Sequence, residues 1–509
     1  MRPLDLAVLC AYVTGILAVG AAYARRSRDT REFMAAGGRL GGLVVGLSLF
    51  ATFLSSNTFI GVPGRAFAAN WNAFVFSLSL PVAAWIAARW FVPFYRDQGH
   101  ISAYHHLEAR FGRWARTYAL VCYLLTQLAR TGSVLFGVAL VSTALTGWPI
   151  AAIIVATGAL VTLYTLLGGI EAVIWTDVVQ SLVLIGGALA LLAALLAGTP
   201  GGAAGVLASA GEAGKLSLGS LALDLTTSTV WVVFLYGLFI NLNNFGIDQS
   251  YVQRYHTARN RTEARRSVWL AAGLYLPVSL LFFFIGTALW AFYEARPPLA
   301  EELVAAVASS GGADTTAVGA GGLAHAAVAD RALPHFIATQ LPPGVAGLLV
   351  AAILAAAMSS LDTSLNSSAT VLLCDLYRVY VRPAAGEREA MRFLRAATLG
   401  MGALGVATAL AMIGVESLLD AWWTLSGIFA GGLLGLFLLG MIARRADRAD
   451  AVAGVAVGVG VILWMTVSPR LPETLRSPFH ANMITVLGTL TIFGVGCALS
   501  RLRRARTAR

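Results

Sequence analysis

Apolar residues run along this chain in long blocks, without the short alternations of a soluble fold. The blocks fall at roughly 3–24, 40–64, 71–95, 115–145, 148–167, 171–198, 228–253, 267–293, 334–378, 391–413, 418–443, 449–467 and 481–500. A helix needs ~20 apolar residues to cross the hydrocarbon core, and these blocks supply that length. The block 334–378 is too long for one crossing. Pro342-Pro343 divides it into a short interfacial helix and a span from about Gly344. The pattern predicts an all-α polytopic membrane protein of about thirteen transmembrane helices. The first block, MRPLDLAVLCAYVTGILAVGAAYARR, is too long for the apolar core of a signal peptide and lacks a cleavage site, so it reads as a retained span.

Two blocks carry polar clusters that a lipid-facing helix could not tolerate. Span 2 reads GLSLFATFLSSNTFIGVPGRAF, with Ser55, Ser56, Asn57 and Thr58 followed by Gly61, Pro63 and Gly64. Span 7 reads VFLYGLFINLNNFGIDQSYVQR, with Asn241, Asn243, Asn244, Gly246, Asp248 and Gln249. These spans lie five crossings apart, in equivalent places of two five-helix units of opposite topology. Paired interrupted helices of that kind point to an inverted-repeat transporter with its site at the midplane. Taken singly, each Ser or Asn fits a hydrogen-bonding seam between helices better than a site; the pair of clusters at matched positions favours the binding site.

Three further spans bring chemistry to this depth. Span 4 places Gln127 and Arg130 on one helical face, and a guanidinium facing a cavity can grip a carboxylate bidentately. The competing reading is an arginine paired to a structural acid or snorkelling to the surface. Span 6 carries Asp177 one or two turns inside. Span 9 reads AAILAAAMSSLDTSLNSSATVLLCDLYR, with Ser359, Ser360, Thr363 and Asn366 forming a hydroxyl stripe. Na⁺ suits neutral oxygens, meaning hydroxyls and the carbonyls freed where a helix unwinds. Span 2 can supply carbonyls, span 9 hydroxyls and span 6 an acid. For Asp248 and Asp362 two roles stand open, facing a cavity or capping a neighbour.

Composition agrees. Of 509 residues 58% are apolar and only 12% charged, whereas soluble chains carry about a quarter charged. The net charge of +11 lies in short basic runs between spans, which argues for topology and against nucleic-acid binding. Those runs follow spans 1, 3, 7, 9, 11 and 13, including Arg110/Arg113/Arg116 and Arg254/Arg259/Arg261. The loop between spans 5 and 6, LGGIEAV, is almost uncharged, and the loops 199–226 and 294–330 lie opposite the basic side. The positive-inside rule places the N-terminus outside and the C-terminus in the cytoplasm of an inner (plasma) membrane. Four cysteines, all in apolar blocks, make no disulfide or metal pattern. His105-His106-x-Glu108 reads as a solvated basic turn, and Gly37-Gly38 and Gly168-Gly169 lack the strand that a phosphate loop needs. The sequence holds no nucleophile–base pair at membrane depth and predicts no enzyme and no organic cofactor.

SSNTFIGVPG in span 2, GGIEAVIWTDVVQ leading into span 6, NNFGIDQSYVQR in span 7 and AAAMSSLDTSLNSSATVLLCDLYR in span 9 together resemble the sodium:solute symporter family. The resemblance covers essentially the whole chain. It implies a LeuT-type 5+5 inverted repeat with discontinuous helices in a single transport domain, 1–509. Residues 3–24 would be an extra first span, 40–198 the first repeat, 228–443 the second, 449–500 two C-terminal spans and 501–509 a basic cytoplasmic tail. It implies a sodium site from the backbone oxygens of Ala51, Leu54 and Ala356 and the hydroxyls of Ser359 and Ser360. Asp177 matches the family's acid for a second sodium or for coupling. Family members often carry a hydroxyl at the Ala356 position, and its absence weakens the expectation of that second site.

Substrate contacts implied by the resemblance are Ser55, Asn57, Thr58, Gln127, Arg130, Asn241, Asn244 and Phe245. QLARTGSVLFGVAL and FLSSNTFIGVPGRAFAANW look like the branch that includes bacterial sialic-acid symporters, where the span-4 Arg pairs with the substrate carboxylate. Phe53 replaces a hydroxyl of that branch, which argues against sialic acid itself. Ser77, where sugar symporters carry a Glu, argues against a glucose- or galactose-type site. The expected function is sodium-coupled import, by alternating access, of a small organic solute carrying a carboxylate, a sugar acid such as sialate or a monocarboxylate. The alternatives are a neutral sugar, polyol or amino acid, and then a channel or sensor of transporter fold.

Overall fold

The computed structural model describes residues 2–24, 29–308, 321–413 and 431–507, apart from the side chains of residues 24, 56–57, 144–145 and 504–507. Among these residues the chain is helical, with one isolated bridge between Leu40 and Ala258. The principal elements in chain order are α1 (Pro3–Ala24), α2 (Gly42–Phe53), α3 (Ser56–Ala68) and the helical run α4 (Trp71–Gln98). Then come α5 (Arg113–Thr146), α6 (Ile150–Gly198), α7 (Val230–Ile247), α8 (Gln249–Thr257) and α9 (Arg261–Glu294). The chain ends with α10 (Ala326–Gln340), α11 (Val345–Val371), α12 (Glu387–Ala411), α13 (Gly431–Ile442), α14 (Arg448–Val467) and α15 (Met483–Thr507).

Ten described helices are long and apolar enough to cross a membrane, or eleven when the bent pair α2 and α3 counts as one span. Helix α6 accounts for two predicted spans. At 49 residues it is about 73 Å long, more than twice the hydrocarbon thickness. It breaks at Gly169, whose φ of 58° and ψ of −155° are open to glycine. An added Cβ there would lie 2.9 Å from the backbone of Phe33. LGGIEAV is therefore a kink between spans and not the loop expected from the sequence. Most of the predicted span 418–443 lies outside the described residues, and α13 is its described end. Pro342-Pro343 does separate α10 from α11, as the pattern predicts.

The interior is built around α11. Of its apolar window 78% is buried against protein, against 11% for α1, which leaves α1 facing lipid on most sides. Helix α1 is nonetheless tied in, because the Asp5 carboxylate accepts from the Gly344 and Gly347 amides at 2.7 and 3.0 Å and so caps α11. Gly286 on α9 lets the backbone of Pro63 pass where any Cβ would sit 2.2 Å from its carbonyl. That close approach holds α3 against α9. Lys215, in the 199–226 connection, donates to the carbonyls of Phe67 and Ala69 at 2.6 and 3.3 Å and closes the far end of α3.

Three readings of the basic segments change. Arg254 is 1% exposed and lies inside the protein, not in a solvated basic cluster. Arg116 is also buried and pairs with Asp375 at 2.5 Å. His106 is buried against Phe94 and Phe437, so the HHxE turn is not wholly solvated. Burial, aided by the charge of Arg110, pushes the His106 imidazole down to about 4. It is neutral at physiological pH and serves packing.

Candidate functional site

The site begins with the break between α2 and α3. Leu54 is extended at φ −95° and ψ 132°, and the axes on either side bend by 54°. Ser55 starts α3 as its N-cap, in a capping box with Thr58 at 3.3 Å. Ser55 and Thr58 thus have a local bonding role in addition to the substrate contact expected of them. The side chain of Asn57 lies outside the described residues.

Breaking the helix frees carbonyls at its end. Three are taken up from neighbouring helices. Ser359 Oγ lies 3.5 Å from the Ala51 oxygen and 3.1 Å from the Ala356 oxygen. Ser360 Oγ donates to the Leu54 oxygen at 3.2 Å. The five oxygens named from the sequence therefore lie along the contact between α2 and α11, in one group of three and one pair, all on buried residues. Three carbonyls and two hydroxyls, with no net charge, fit a monovalent hard cation whose own charge needs no buried counter-ion. The third freed carbonyl, Thr52, accepts from Arg130 Nη2 at 2.9 Å.

Arg130 stands on α5 beside that break. Among the described residues it makes this hydrogen bond and no ion pair. One turn earlier, Gln127 is 0% exposed, and neither its amide nitrogen nor its oxygen has a hydrogen-bond partner. A buried, unsatisfied amide beside an unpaired guanidinium is costly unless a ligand completes both. The sequence put these two residues on one face, and the structure brings Arg130 to the break and buries Gln127 one turn away.

The second break, between α7 and α8, is built differently. Asp248 is the N-cap of α8, its carboxylate accepting from the Ser250 amide at 2.7 Å. The nearby carbonyls of Phe245 and Gly246 accept from the hydroxyls of Tyr255 and Tyr95 at 2.8 and 2.6 Å. Among the described residues no carbonyl group comparable to the first one forms here. Asn241 turns toward α4, donating to Ser79 at 3.2 Å and leaving its own oxygen buried and unbonded. Asn244 is half-buried. Phe245 is fully buried against Phe53 and Tyr251.

Asp177 does not join the five oxygens. Its Oδ2 accepts from Ser48 Oγ at 2.5 Å and from Arg254 Nη2 at 2.9 Å, while its Oδ1 has no partner. Arg254 also donates to Ser48 at 2.7 Å and to Thr363 at 2.6 Å, tying α8 to α2, α6 and α11. Asp362 accepts from the Tyr164 hydroxyl at 2.7 Å and from the Thr363 amide at 2.6 Å. Sequence reasoning missed Arg254 because its neighbours Arg259 and Arg261 read as one basic run. The i, i+4 pair Ser250/Arg254 on a face otherwise made of Tyr and Val was the available signal.

The description "Sodium:solute symporter family" matches residues 33–458. The sodium/sialic acid symporter NanT of Aliivibrio fischeri is 32% identical over 495 residues, spanning 96% of this chain and 92% of that protein. The sodium/sialic acid symporter SiaT of Proteus mirabilis is 30% identical over 492 residues, spanning 96% and 94%. The solved structure of a Na⁺-coupled sialic acid symporter in a substrate-bound outward-open state superposes with a TM-score of 0.86, at 29% identity over 98% of both chains.

Proposed function

Since the chain belongs to the sodium:solute symporter family, we propose that it imports a carboxylate-bearing solute, gripped by Arg130 and coupled to a sodium ion held in the Ala51/Leu54/Ala356/Ser359/Ser360 cage. That it is a multi-pass membrane transporter working as a sodium-coupled symporter, with Na⁺ as the coupling ion, follows from the family and from relatives spanning nearly the whole chain. The observation that carries the substrate reading is the unpaired Arg130 guanidinium beside the unsatisfied amide of Gln127. A bidentate carboxylate on the guanidinium would answer the first, and a substrate polar group the second. Relatives named for sialic acid, itself a carboxylate, support this class.

Sodium bridges the end of α2 to α11, and substrate binds on the other side of the same break. Each therefore orders a segment the other needs, which is a physical basis for coupling. We read 40–198 and 228–443 as the two repeats, with the N-terminus outside and the C-terminus cytoplasmic, on the distribution of basic residues. A neutral solute, with Arg130 structural, is the second reading, favoured by one observation: Arg130 already donates to the Thr52 carbonyl at the break.

The test is uptake by purified protein in liposomes, with an inward sodium gradient or potassium in its place, using labelled acids beside glucose and proline. Accumulation of an acid only with sodium, and about 100-fold loss of its affinity in Arg130→Gln, is the expected result. Accumulation of a neutral solute, undiminished in Arg130→Gln, would retire the carboxylate reading.

A further inference from the structure

The seam between α4 and α9 carries charge without a protein partner and rings outside the core. On α4, Trp85 is 53% exposed and Trp90 44%, their ring centroids 5.1 Å apart and edge to face. Arg89 belongs to the same cluster, its guanidinium 5.9 Å from the centre of the Trp90 ring. A wide π turn, Ala87–Phe91, interrupts α4 at this point. Such a turn disturbs the regular carbonyl bonding of the helix, and Arg265 of α9 donates from Nε to the Ala88 oxygen at 2.9 Å. One turn further along α9 stands Trp269, 46% exposed and on the same helical face as Arg265. Two arginines and three tryptophans thus lie along one seam.

The protein leaves these charges unanswered. Among the described residues Arg89 makes no hydrogen bond and no ion pair, and Arg265 makes only the bond to Ala88. Contact with a ring face uses none of the five N–H donors of Arg89, and the Arg265 bond leaves its four Nη donors. The acids at this end of the two helices are already engaged. Glu263 accepts from the Gly42 amide at 2.6 Å and from Arg266 at 2.9 Å, and Asp97 faces Arg261 at 3.4 Å. Helix α9 has 34 residues and is about 51 Å long, so about 10 Å of each end extends past a hydrocarbon core of ~30 Å. Arg265 lies about 6 Å from the start of α9 and Trp269 about 12 Å. That places the guanidinium at headgroup depth and the indole at the edge of the acyl chains.

From this arrangement we infer that the α4/α9 seam binds an anionic phospholipid, with its phosphate on Arg89 and Arg265 and its acyl chains along Trp85 and Trp269. The phosphodiester offers paired oxygens to the guanidinium groups, and the indoles offer apolar surface to the chains below it. A zwitterionic lipid brings the same phosphate with a positive group beside it, which the two arginines repel. Free phosphate brings the charge without the apolar body that the tryptophans contact. The seam therefore fits a whole anionic lipid.

Delipidated protein in neutral detergent would be titrated with phosphatidylglycerol, phosphatidylcholine or inorganic phosphate while its melting temperature is followed. Phosphatidylglycerol is expected to raise it in a saturable way, and the other two to give no rise at the same concentrations. Arg89→Gln should raise the half-saturating concentration about fivefold, the share of one arginine at a membrane surface. Trp85→Ala should raise it at least threefold. Both side chains are exposed, so neither change should move the lipid-free melting temperature. Arg445→Gln removes the same charge from an exposed position between α13 and α14 and should leave the titration unchanged. No rise with phosphatidylglycerol, or an equal rise with phosphatidylcholine or phosphate, overturns the inference. A titration unshifted in both Arg89→Gln and Trp85→Ala, or shifted as far in Arg445→Gln as in Arg89→Gln, overturns it as well.

Discussion

Removing the guanidinium of Arg254 would leave Asp177 buried with the Ser48 hydroxyl as its only partner. A buried charge stripped of its counter-ion costs about 3–5 kcal/mol, whereas removing both charges costs far less. Arg254→Met is therefore expected to lower the melting temperature of the detergent-solubilised protein sharply, and Arg254→Met with Asp177→Asn to recover much of the loss. An unchanged melting temperature in the single variant would contradict the pairing. Arg130 differs at this scale. Among the described residues its charge has one carbonyl and no carboxylate within bonding distance, so its replacement is expected to affect substrate affinity before stability. Chemically identical side chains at similar depth thus differ in setting, because one has a buried acid against it and the other a backbone carbonyl.

At the scale of elements, the molecule depends on where its helices stop. Ser55 and Asp248 begin new helices as N-caps, and nearby carbonyls accept from serine hydroxyls at the first break and from tyrosine hydroxyls at the second. Gly169 is a third interruption, and it does not serve a site. It turns α6 from one crossing to the next while touching the Phe33 backbone. Gly169→Ala would force a side chain into positive φ, at about 1–2 kcal/mol, and add a clash with backbone that cannot move aside. The expected result is loss of folded yield in size-exclusion chromatography. Gly186→Ala on the same helix meets nothing within 4 Å and should behave as wild type. Equal behaviour of the two variants would show that the kink tolerates a side chain.

For the whole molecule, the cage matters because it joins α2 to α11, the most buried helix. An ion bound there stabilises the assembled state by mass action, by about 1.4 kcal/mol at ten times its dissociation constant. Sodium should therefore raise the melting temperature in a saturable way and potassium should not. Ser359→Ala with Ser360→Ala removes two of the five oxygens and should abolish that rise, while leaving the sodium-free melting temperature nearly unchanged. A sodium effect that survives the double variant would place the ion elsewhere, with the unpartnered Asp177 Oδ1 the next position to replace.

Much of this was legible along the chain. Long apolar blocks determine membrane helices because the bilayer offers no other partner for the backbone. Polar clusters with Gly and Pro mark the breaks, because only a broken helix explains Ser55 to Thr58 at that depth. The resemblance to the family implied the five proposed cage residues, and helical spacing put Gln127 and Arg130 on one face. Tertiary structure decided which polar groups are already satisfied. Ser55 and Thr58 bond to each other, Asp177 is held by an arginine that looked solvated, Asp248 caps a helix, and Gln127 remains unbonded. It also gathered Phe53, Phe245, Tyr251 and Tyr275 from four places in the sequence into one aromatic cluster. Local sequence determines where a helix can form and where it must end, since those energies arise within a few residues. Whether a polar atom has a partner depends on helices hundreds of residues apart, and only the packed molecule brings them together.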